Sequence, residues 1–337
     1  MIGSSGTGYR RPDMGFYYRL FGLNVHSDAP LPGVQSQTWL PQENAAPVNV
    51  RLSSYSSDEI ATEPDQGLLV FESQQNPPCV RIEYFPSAQF YRFLYGDGIM
   101  FDISSDGKNV QGSWPANMSK EDALTYLLGP VFGFILRLRG FTALHASAAV
   151  INGYAVAFVG GGGTGKSTIV AALARAGHRI LSDDVAVLEE ASGTFRIEPS
   201  YPHIRLWPDS VSILFGTGDA LPKLVPSSDW WDKRFLDLER EGFNFHDEAL
   251  PVRFTYILEP RSQNVQIARA DIIPSIDAFP RLVANTYVNY ALTSDMRRRE
   301  FQALGRFVEQ ITIKRLALGT SPECFEMLGS FLEHDAS

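Results

Sequence analysis

The chain has 337 residues, of which 44% are hydrophobic and 20% charged, values typical of a globular protein of one large domain or two. Aspartate and glutamate outnumber lysine and arginine by 38 to 29, and the formal net charge of -9 argues against a nucleic acid as the main partner. With two cysteines, no signal-peptide run at its start and no apolar stretch near the about 20 residues of a membrane span, the chain is expected in the cytoplasm and outside any membrane.

Residues 1–118 predict a β-rich N-terminal domain. The runs FYYRLFGLNV, PCVRIEYF, FYRFLYG and IMFDIS resemble short strands, and Pro, Gly, Asn and Asp separate them. Residues 1–13 are rich in Gly, Ser and Arg, and no regular structure is expected there. No catalytic constellation is found in this domain.

A helix and a hairpin are predicted next. Ser119 and Asp122 form a capping box, apolar residues then recur at helical spacing to position 138, and Pro130 predicts a kink. The segment ALHASAAVINGYAVAFVGG is typical of a hairpin turning on Asn152 and Gly153, the pair favoured by a type I′ turn. Counting outward from a two-residue loop places His145 opposite Gly160.

A phosphate-binding loop (P-loop) is predicted after the hairpin. The pattern G-x-x-x-x-G-K-[ST] stands between a predicted strand and a predicted helix over 166–176, which is the context that the motif requires. Lys166 should reach the β- and γ-phosphates of a nucleotide, and the Ser167 hydroxyl should bind Mg²⁺. The alternative is a glycine-rich turn followed by a chance Lys-Ser pair. The predicted nucleotide-binding residues are Gly160, Gly161, Gly162, Gly163, Thr164, Gly165, Lys166, Ser167 and Thr168.

Two aspartates, Asp183 and Asp184, follow the next predicted strand, HRILS. A carboxylate at the end of a strand after a P-loop helix is where Mg²⁺ is held in P-loop enzymes. Because adjacent side chains of a strand face opposite ways, we expect one aspartate to face the phosphates and metal and the other to be held by a neighbour such as His145. Alternatively, the pair caps a turn beside Ser182, and His145 is a structural histidine.

The rest of the chain predicts further elements and two basic groups. Lys233 and Arg234 are interpreted either as a phosphate clamp or as exposed charges on an edge strand. Arg297, Arg298 and Arg299 are interpreted either as a binding site for an acidic peptide or as a solvated helix face. The predicted elements are VAVLEE and TFRIEP as a meander around Ser192 and Gly193, a helix near Asp209, strands at RFTYIL and VQIARA, helices near 276–290 and 295–310, a last strand, and a terminal helix over 322–333.

The string from LHASAAVINGYAVAFVG through GGTGKST to GHRILSDDVAVLEE, residues 144–190, resembles the catalytic domain of the HPr kinase/phosphorylase family. The resemblance implies an α/β fold in which residues 119–337 form a P-loop catalytic domain with a mixed sheet, and it implies ATP and Mg²⁺. By the same resemblance Asp183 is the general base, Asp184 and Ser167 lie near the metal, and His145 supports the aspartates. From the motif itself, Lys166 is expected to serve catalysis by supplying positive charge to the phosphates. Gly162 stands where the family often has Ser.

Other stretches depart from HPr kinases. No acidic second signature follows the meander, and YYRLFGLNVHSDAPLP, HIRLWPDSVSIL and DKRFLDL are similar to a branch of HPr-kinase-like proteins. Some of that branch phosphorylate ribosomally made peptide precursors, including the C-terminal Ser of lasso peptide precursors.

The expected function is therefore transfer of the γ-phosphoryl group of ATP to a Ser hydroxyl of a peptide or small protein. Two alternatives stay open. One is a nucleotide-sensing regulatory module without transfer, although a sensor needs no base. The other is a phosphoenolpyruvate-carboxykinase-like enzyme, which shares a P-loop followed by two aspartates but would need a longer chain and further metal ligands. The acceptor, the reverse reaction and the oligomeric state, a homo-oligomer included, are left open.

Overall fold

The computed structural model describes residues 15–31, 34, 47–56, 66–75, 79–225, 231–265 and 267–336. The prediction for residues 1–13 lies outside these ranges. Within them the architecture is mixed α/β, with two eight-stranded sheets, a two-stranded ribbon and eight α-helices, so the predicted α/β class is confirmed at this level. None of the described helices combines the length and apolarity that a membrane crossing needs.

The N-terminal sheet confirms the β-rich character of this part of the chain. Its order is β1-β2-β3-β8-β7-β6-β5-β4; β3 lies parallel to β2 and β8, and the remaining pairs are antiparallel. Alternate residues of its strands are buried, so one face forms a core. The strands are β1 (Phe16–Leu20), β2 (Leu23–Ser27), β3 (Val48–Tyr55), β4 (Leu68–Glu72), β5 (Val80–Phe85), β6 (Phe90–Tyr95), β7 (Met100–Ser104) and β8 (Asn109–Pro115).

An interrupted helix covers that core. It consists of α1 (Lys120–Tyr126), a π-helical turn (Leu127–Val131) and α2 (Phe132–Leu138). The predicted capping box is present, since Ser119 Oγ accepts the Asp122 N–H and the Asp122 carboxylate accepts the Ser119 N–H. The predicted kink is confirmed: Gly129 has non-helical angles (φ -122°, ψ -108°), and Pro130 after it lacks an N–H.

The second sheet carries the predicted loop. Its order is β10-β9-β12-β13-β16-β18-β17, with β11 beside β9; β10 also pairs with β16, which closes five strands into a ring. The β10–β16 and β16–β18 pairs are parallel, so the sheet is mixed, as predicted. The strands are β9 (Thr142–Ile151), β10 (Tyr154–Val159), β11 (Ile180–Ser182), β12 (Val185–Ala191), β13 (Thr194–Glu198), β16 (Leu250–Leu258), β17 (Arg269–Ile272) and β18 (Thr312–Ala317).

The remaining elements pack around this sheet. The ribbon pairs two short strands antiparallel, and α6 and α3 pack on different cores of the sheet. The elements are α3 (Lys166–Arg175), β14 (His203–Leu206), α4 (Pro208–Phe215), β15 (Arg234–Asp237), α5 (Ser275–Ala284), a 3₁₀ turn (Asn289–Ala291), α6 (Ser294–Gln310), α7 (Pro322–Glu326) and α8 (Leu328–Asp335).

The predicted hairpin is confirmed, and its register holds. Tyr154 pairs with Ile151 and Val159 with Ala146, so the next step outward sets Gly160 beside His145. Both loop residues have positive φ, 49° at Asn152 and 82° at Gly153, as a type I′ turn requires. The meander is confirmed too, with Thr194 opposite Ala191.

Three predicted elements have different bounds. Strand β17 begins at Arg269, the fifth residue of the predicted VQIARA strand. The helix near 276–290 ends at Ala284, because the following residues bond to β9: Tyr287 N–H donates to Ala143 O, and His145 N–H donates to Asn285 O, each at 2.8 Å. The terminal helix is split at Met327 into α7 and α8.

Candidate active site

A cavity of ≈460 Å³ brings the predicted loop together with charged side chains from other segments. Six of the nine predicted nucleotide-binding residues line it. Four cations also line it, against two carboxylates. Since the whole chain carries a net charge of -9, this concentration of positive charge favours an anionic ligand. These residues are Gly162, Gly163, Gly165, Lys166, Ser167 and Thr168 of the loop; Lys166, Arg205, Lys233 and Arg261 as cations; and Asp184 and Asp209 as carboxylates.

The loop has the backbone that a phosphate cradle needs. Gly163 and Gly165 have φ of 77° and 100°, a region that residues with a Cβ rarely adopt. Helix α3 begins directly after Gly165 without a side-chain cap, so its first N–H groups and the positive end of its dipole are available to an anion. A Cβ at Gly162 would meet nothing within 4 Å, so the Ser of the resembling family would fit there.

Lys166 is held at the base of the loop. Its ammonium donates to Gly160 O at 2.7 Å and to Gly161 O at 2.9 Å, and the Thr164 hydroxyl donates to Gly161 O. Gly160, Gly161 and Thr164 thus shape the loop without lining the cavity. Burial lowers the pKa of Lys166 to about 8, against the charges of Asp184 and Asp183, which raise it. The ammonium is therefore still protonated at pH 7, and a bound phosphate would favour that charged form.

Asp183 lies in the interior and does not line the cavity. Its side chain is almost fully buried, and both carboxylate oxygens accept hydrogen bonds. Ser147 Oγ donates to Oδ1 at 2.6 Å, and the backbone N–H of Arg205 donates to Oδ2 at 2.9 Å. Asp183 thus ties β14 to β9.

Asp184 is the aspartate that faces the cavity. Its φ of 68° is unusual for a residue other than glycine. The Tyr287 hydroxyl donates to Oδ2 at 2.8 Å, His145 Nδ1 lies 3.2 Å from Oδ1, and Arg205 Nη1 lies 3.9 Å from Oδ2. Burial alone would raise the pKa of Asp184, but His145, then Arg205 and Lys233, hold it well below its usual range. The carboxylate is therefore ionised at neutral pH. One aspartate faces the cavity and the other is held in the interior, but His145, expected beside the interior aspartate, contacts the cavity-facing Asp184 instead.

Tyr287 and Arg205 are site residues that sequence reasoning missed. Tyr287 reaches Asp184 because its segment bonds along β9 instead of continuing α5. Gly133 makes room for the ring, since a Cβ there would lie 2.4 Å from Tyr287 Cδ1. A Cβ at Gly129 would lie 3.3 Å from both Arg205 Nη1 and the Tyr287 hydroxyl. Two glycines four residues apart in an apolar helix were a signal of close approach, but they did not identify the partner.

The two basic groups of the sequence analysis have different surroundings. Lys233 lines the cavity, and its ammonium lies 5.3 Å from the Trp207 ring centroid and 5.9 Å from that of Trp231. Arg234 instead bonds to Asp232 and to the Leu221 carbonyl.

The arginines of α6 do not line this cavity. Arg299 lines a separate cavity of ≈350 Å³ that also contains Arg306, which pairs with Glu190 at 2.7 Å. Arg297 donates to Leu292 O, and Arg298 pairs with Asp295.

The oxygen donors of the cavity fit Mg²⁺. In the described part of the chain no group of three or more His, Cys, Asp or Glu side chains forms a ready metal cage. Mg²⁺ is usually bound by one or two carboxylates together with substrate phosphates, and does not require such a cage. The Ser167 hydroxyl and the ionised Asp184 are in the same cavity and are donors of the required kind.

No family model matches the chain, and no curated protein matches it in sequence. Among solved structures it is similar to the Hpr(Ser) kinase/phosphatase from Coxiella burnetii. That alignment has 14% sequence identity and a TM-score of 0.31, and it covers 57% of this chain and 95% of the other. At this level of similarity, the role of each residue in this chain has to come from the chemistry of its own cavity.

Proposed function

We propose that the protein is an ATP-dependent kinase that transfers the γ-phosphoryl group to a Ser hydroxyl of a peptide or small protein, with ribosomal peptide precursors such as those of lasso peptides as the first candidates. One observation carries the proposal: a glycine loop with its lysine and an ionised aspartate line the same positively charged cavity. Phosphoryl transfer depends mainly on positioning and charge neutralisation, which these groups provide.

The loop side of the cavity would hold the nucleotide. The N–H groups at the start of α3 and the Lys166 ammonium bind phosphate oxygens, and Lys166 exchanges its bonds to the loop carbonyls for bonds to phosphate. Lys233 and Arg261 add positive charge around the phosphates. Ser167 and Asp184 would hold Mg²⁺, which neutralises charge on the β- and γ-phosphates when bound.

The acceptor side of the cavity would centre on Asp184. Asp183, the general base by family resemblance, is buried, bonds to Ser147 and to the Arg205 N–H in the interior, and does not line the cavity that Asp184 faces. We therefore assign the acceptor-orienting role to Asp184, which accepts the hydrogen bond of the Ser hydroxyl. Its low pKa is no obstacle, because in a loose transition state the hydroxyl proton passes to the Asp184 carboxylate only late, as the bond from the Ser oxygen to the γ-phosphorus forms and the bond to the ADP oxygen breaks. Asp183 is a positioning residue that fixes the backbone of Arg205, and His145 and Tyr287 orient the Asp184 carboxylate.

The test is an assay of ATP conversion to ADP, with and without Ser-containing peptides, followed by mass spectrometry of the peptides. The proposal expects Mg²⁺-dependent ADP formation that rises with peptide, and an added phosphate on Ser. ATP that binds and is never consumed would instead support the nucleotide-sensing module. Phosphate transfer to small metabolites alone would also contradict the proposal.

A further inference from the structure

A second cavity, of ≈190 Å³, lies beside the ≈460 Å³ cavity that the glycine loop lines, which we call the P-loop cavity, and the side chain of Arg205 lines both. We name it the apolar pocket. Its walls come from α1 and the π-helical turn on one side and from β14 and β15 on the other. The residues that define it are Leu124, Leu128, Tyr201, His203, Leu224 and Phe235.

The chemistry of the apolar pocket suits an uncharged group. Three leucines and the rings of Tyr201 and Phe235 contribute apolar surface to its lining. Burial lowers the pKa of His203, although the nearby Asp237 carboxylate, at 3.5 Å, raises it, so the imidazole is neutral at pH 7. The Tyr201 hydroxyl accepts a hydrogen bond from Arg205 at 2.8 Å. The charged head of Arg205 is therefore already engaged with Tyr201 and Asp184.

The position of the apolar pocket relates it to the acceptor. The glycine loop and Lys166 hold the phosphates at one end of the P-loop cavity, and the attacking oxygen has to enter roughly in line with the leaving oxygen. In the proposed function that oxygen meets Asp184, whose carboxylate lies 3.9 Å from Arg205. An acceptor chain that presents its hydroxyl to Asp184 therefore passes Arg205, and the apolar pocket opens on the other side of that guanidinium.

We propose that the apolar pocket receives a large apolar side chain of the acceptor peptide, close in sequence to the Ser that is phosphorylated. The inference rests on the proposed function and adds the recognition element that selects the acceptor. The lining carries two charges of each sign, so charge alone does not select the peptide; these residues are Glu121, Asp237, Arg205 and Arg240. Burial of the apolar side chain would supply selectivity instead.

The experiment uses the full chain and a set of Ser peptides with Ala at every other position, in which one position at a time becomes Leu, Phe, Asp or Lys. We expect one position near Ser where Leu or Phe raises kcat/KM about tenfold over Ala, the discrimination typical of a hydrophobic pocket. Asp and Lys there should give no gain.

Two variants of Leu224, which is only half-buried, then test the location. Leu224→Trp fills the pocket and should remove the advantage of Leu or Phe, while the all-Ala peptide is phosphorylated as before. Leu224→Ala enlarges the pocket and should move the preference from Leu towards Phe. Leu94→Trp, on the exposed outer side of β6, is the matched control and should change neither.

The possible results separate the two proposals. If the peptides are phosphorylated without any apolar preference, or if both Leu224 variants keep the wild-type preference, the apolar pocket is not the recognition site and the kinase proposal stands. If no peptide is phosphorylated while ATP binds, the proposed function is overturned, and so is the proposed role of the apolar pocket.

Discussion

Gly133 lies in α2, outside the lining of the P-loop cavity, yet its replacement by alanine should damage the site. A Cβ at this position would lie 2.4 Å from Tyr287 Cδ1, 2.7 Å from Cε1 and 3.0 Å from Val288 Cγ2, so the Tyr287 ring has to move. Overpacking of this kind costs about 1–3 kcal/mol, whereas the better helix propensity of alanine returns about 1 kcal/mol. We expect a net loss of up to about 2 kcal/mol in the free energy of unfolding.

The same movement should lower activity. The Tyr287 hydroxyl donates to the ionised Asp184, and hydrogen bonds to charged groups contribute about 1.5–3 kcal/mol. If half of that hydrogen-bond energy, about 0.75–1.5 kcal/mol, orients Asp184 in the transition state, kcat should fall about 4- to 13-fold, since 1.36 kcal/mol corresponds to a factor of ten.

A double-mutant cycle tests whether Gly133 acts through Tyr287, with thermal unfolding and peptide phosphorylation measured on the same samples. Tyr287→Ala removes the ring that Gly133→Ala would strike, so the double variant should be no worse than Tyr287→Ala alone. Gly305→Ala in α6, where a Cβ meets nothing within 4 Å, is the matched control and should be neutral or stabilising. Additive losses in the double variant would show that Gly133 does not act through Tyr287.

Three further outcomes are expected. Lys166→Ala should abolish ATP turnover and leave the fold intact by circular dichroism; retained turnover would refute the P-loop assignment. Asp184→Asn should lower phosphoryl transfer by about 10²–10⁴ and weaken Mg²⁺-dependent nucleotide binding, whereas Asp183→Asn should mainly lower stability; the reverse pattern would restore Asp183 as the base. Because burial lowers the pKa of Lys166 to about 8, its positive charge is lost as pH rises through that value. Nucleotide affinity should therefore fall above pH 8, and nucleotide binding should take up protons there. Calorimetry in two buffers measures that proton uptake, and its absence in the wild-type protein would contradict the prediction.

Local signals predicted the elements that hold the nucleotide loop. The capping box at Ser119 and the turn at Asn152 depend on residues within four positions, and both are present. Gly177 follows directly after the helix predicted over 166–176 and has φ of 92°; the next N–H bonds back to Leu173 O, which completes a Schellman motif. Each of these elements is specified by its own short segment.

Long-range contacts could not be predicted in the same way. Tyr287 and Asp184 are 103 positions apart, and only the pairing of residues 285–287 with β9 brings them together. That pairing also shortened the helix predicted over 276–290, because backbone bonds to a sheet outweighed helix propensity there. In the sequence Arg205 stands only within the stretch HIRLWPDSVSIL, and its role follows from β14 lying next to Asp183. The sequence pattern contained these residue types but not their distances.

The interrupted helix limits how the chain can be divided. One hydrophobic core contains the N-terminal strands together with both parts of that helix, and it extends to Val185 and Val187 of β12 and to Val288 beside Tyr287. Phe134 in α2 packs against Phe93 of β6 at 5.1 Å between ring centroids. A recombinant fragment that begins at residue 119 would therefore carry the whole nucleotide loop and still present an uncovered apolar face to water, next to the glycines that seat Tyr287. Any transplant of this candidate site into another scaffold has to bring the N-terminal sheet with it.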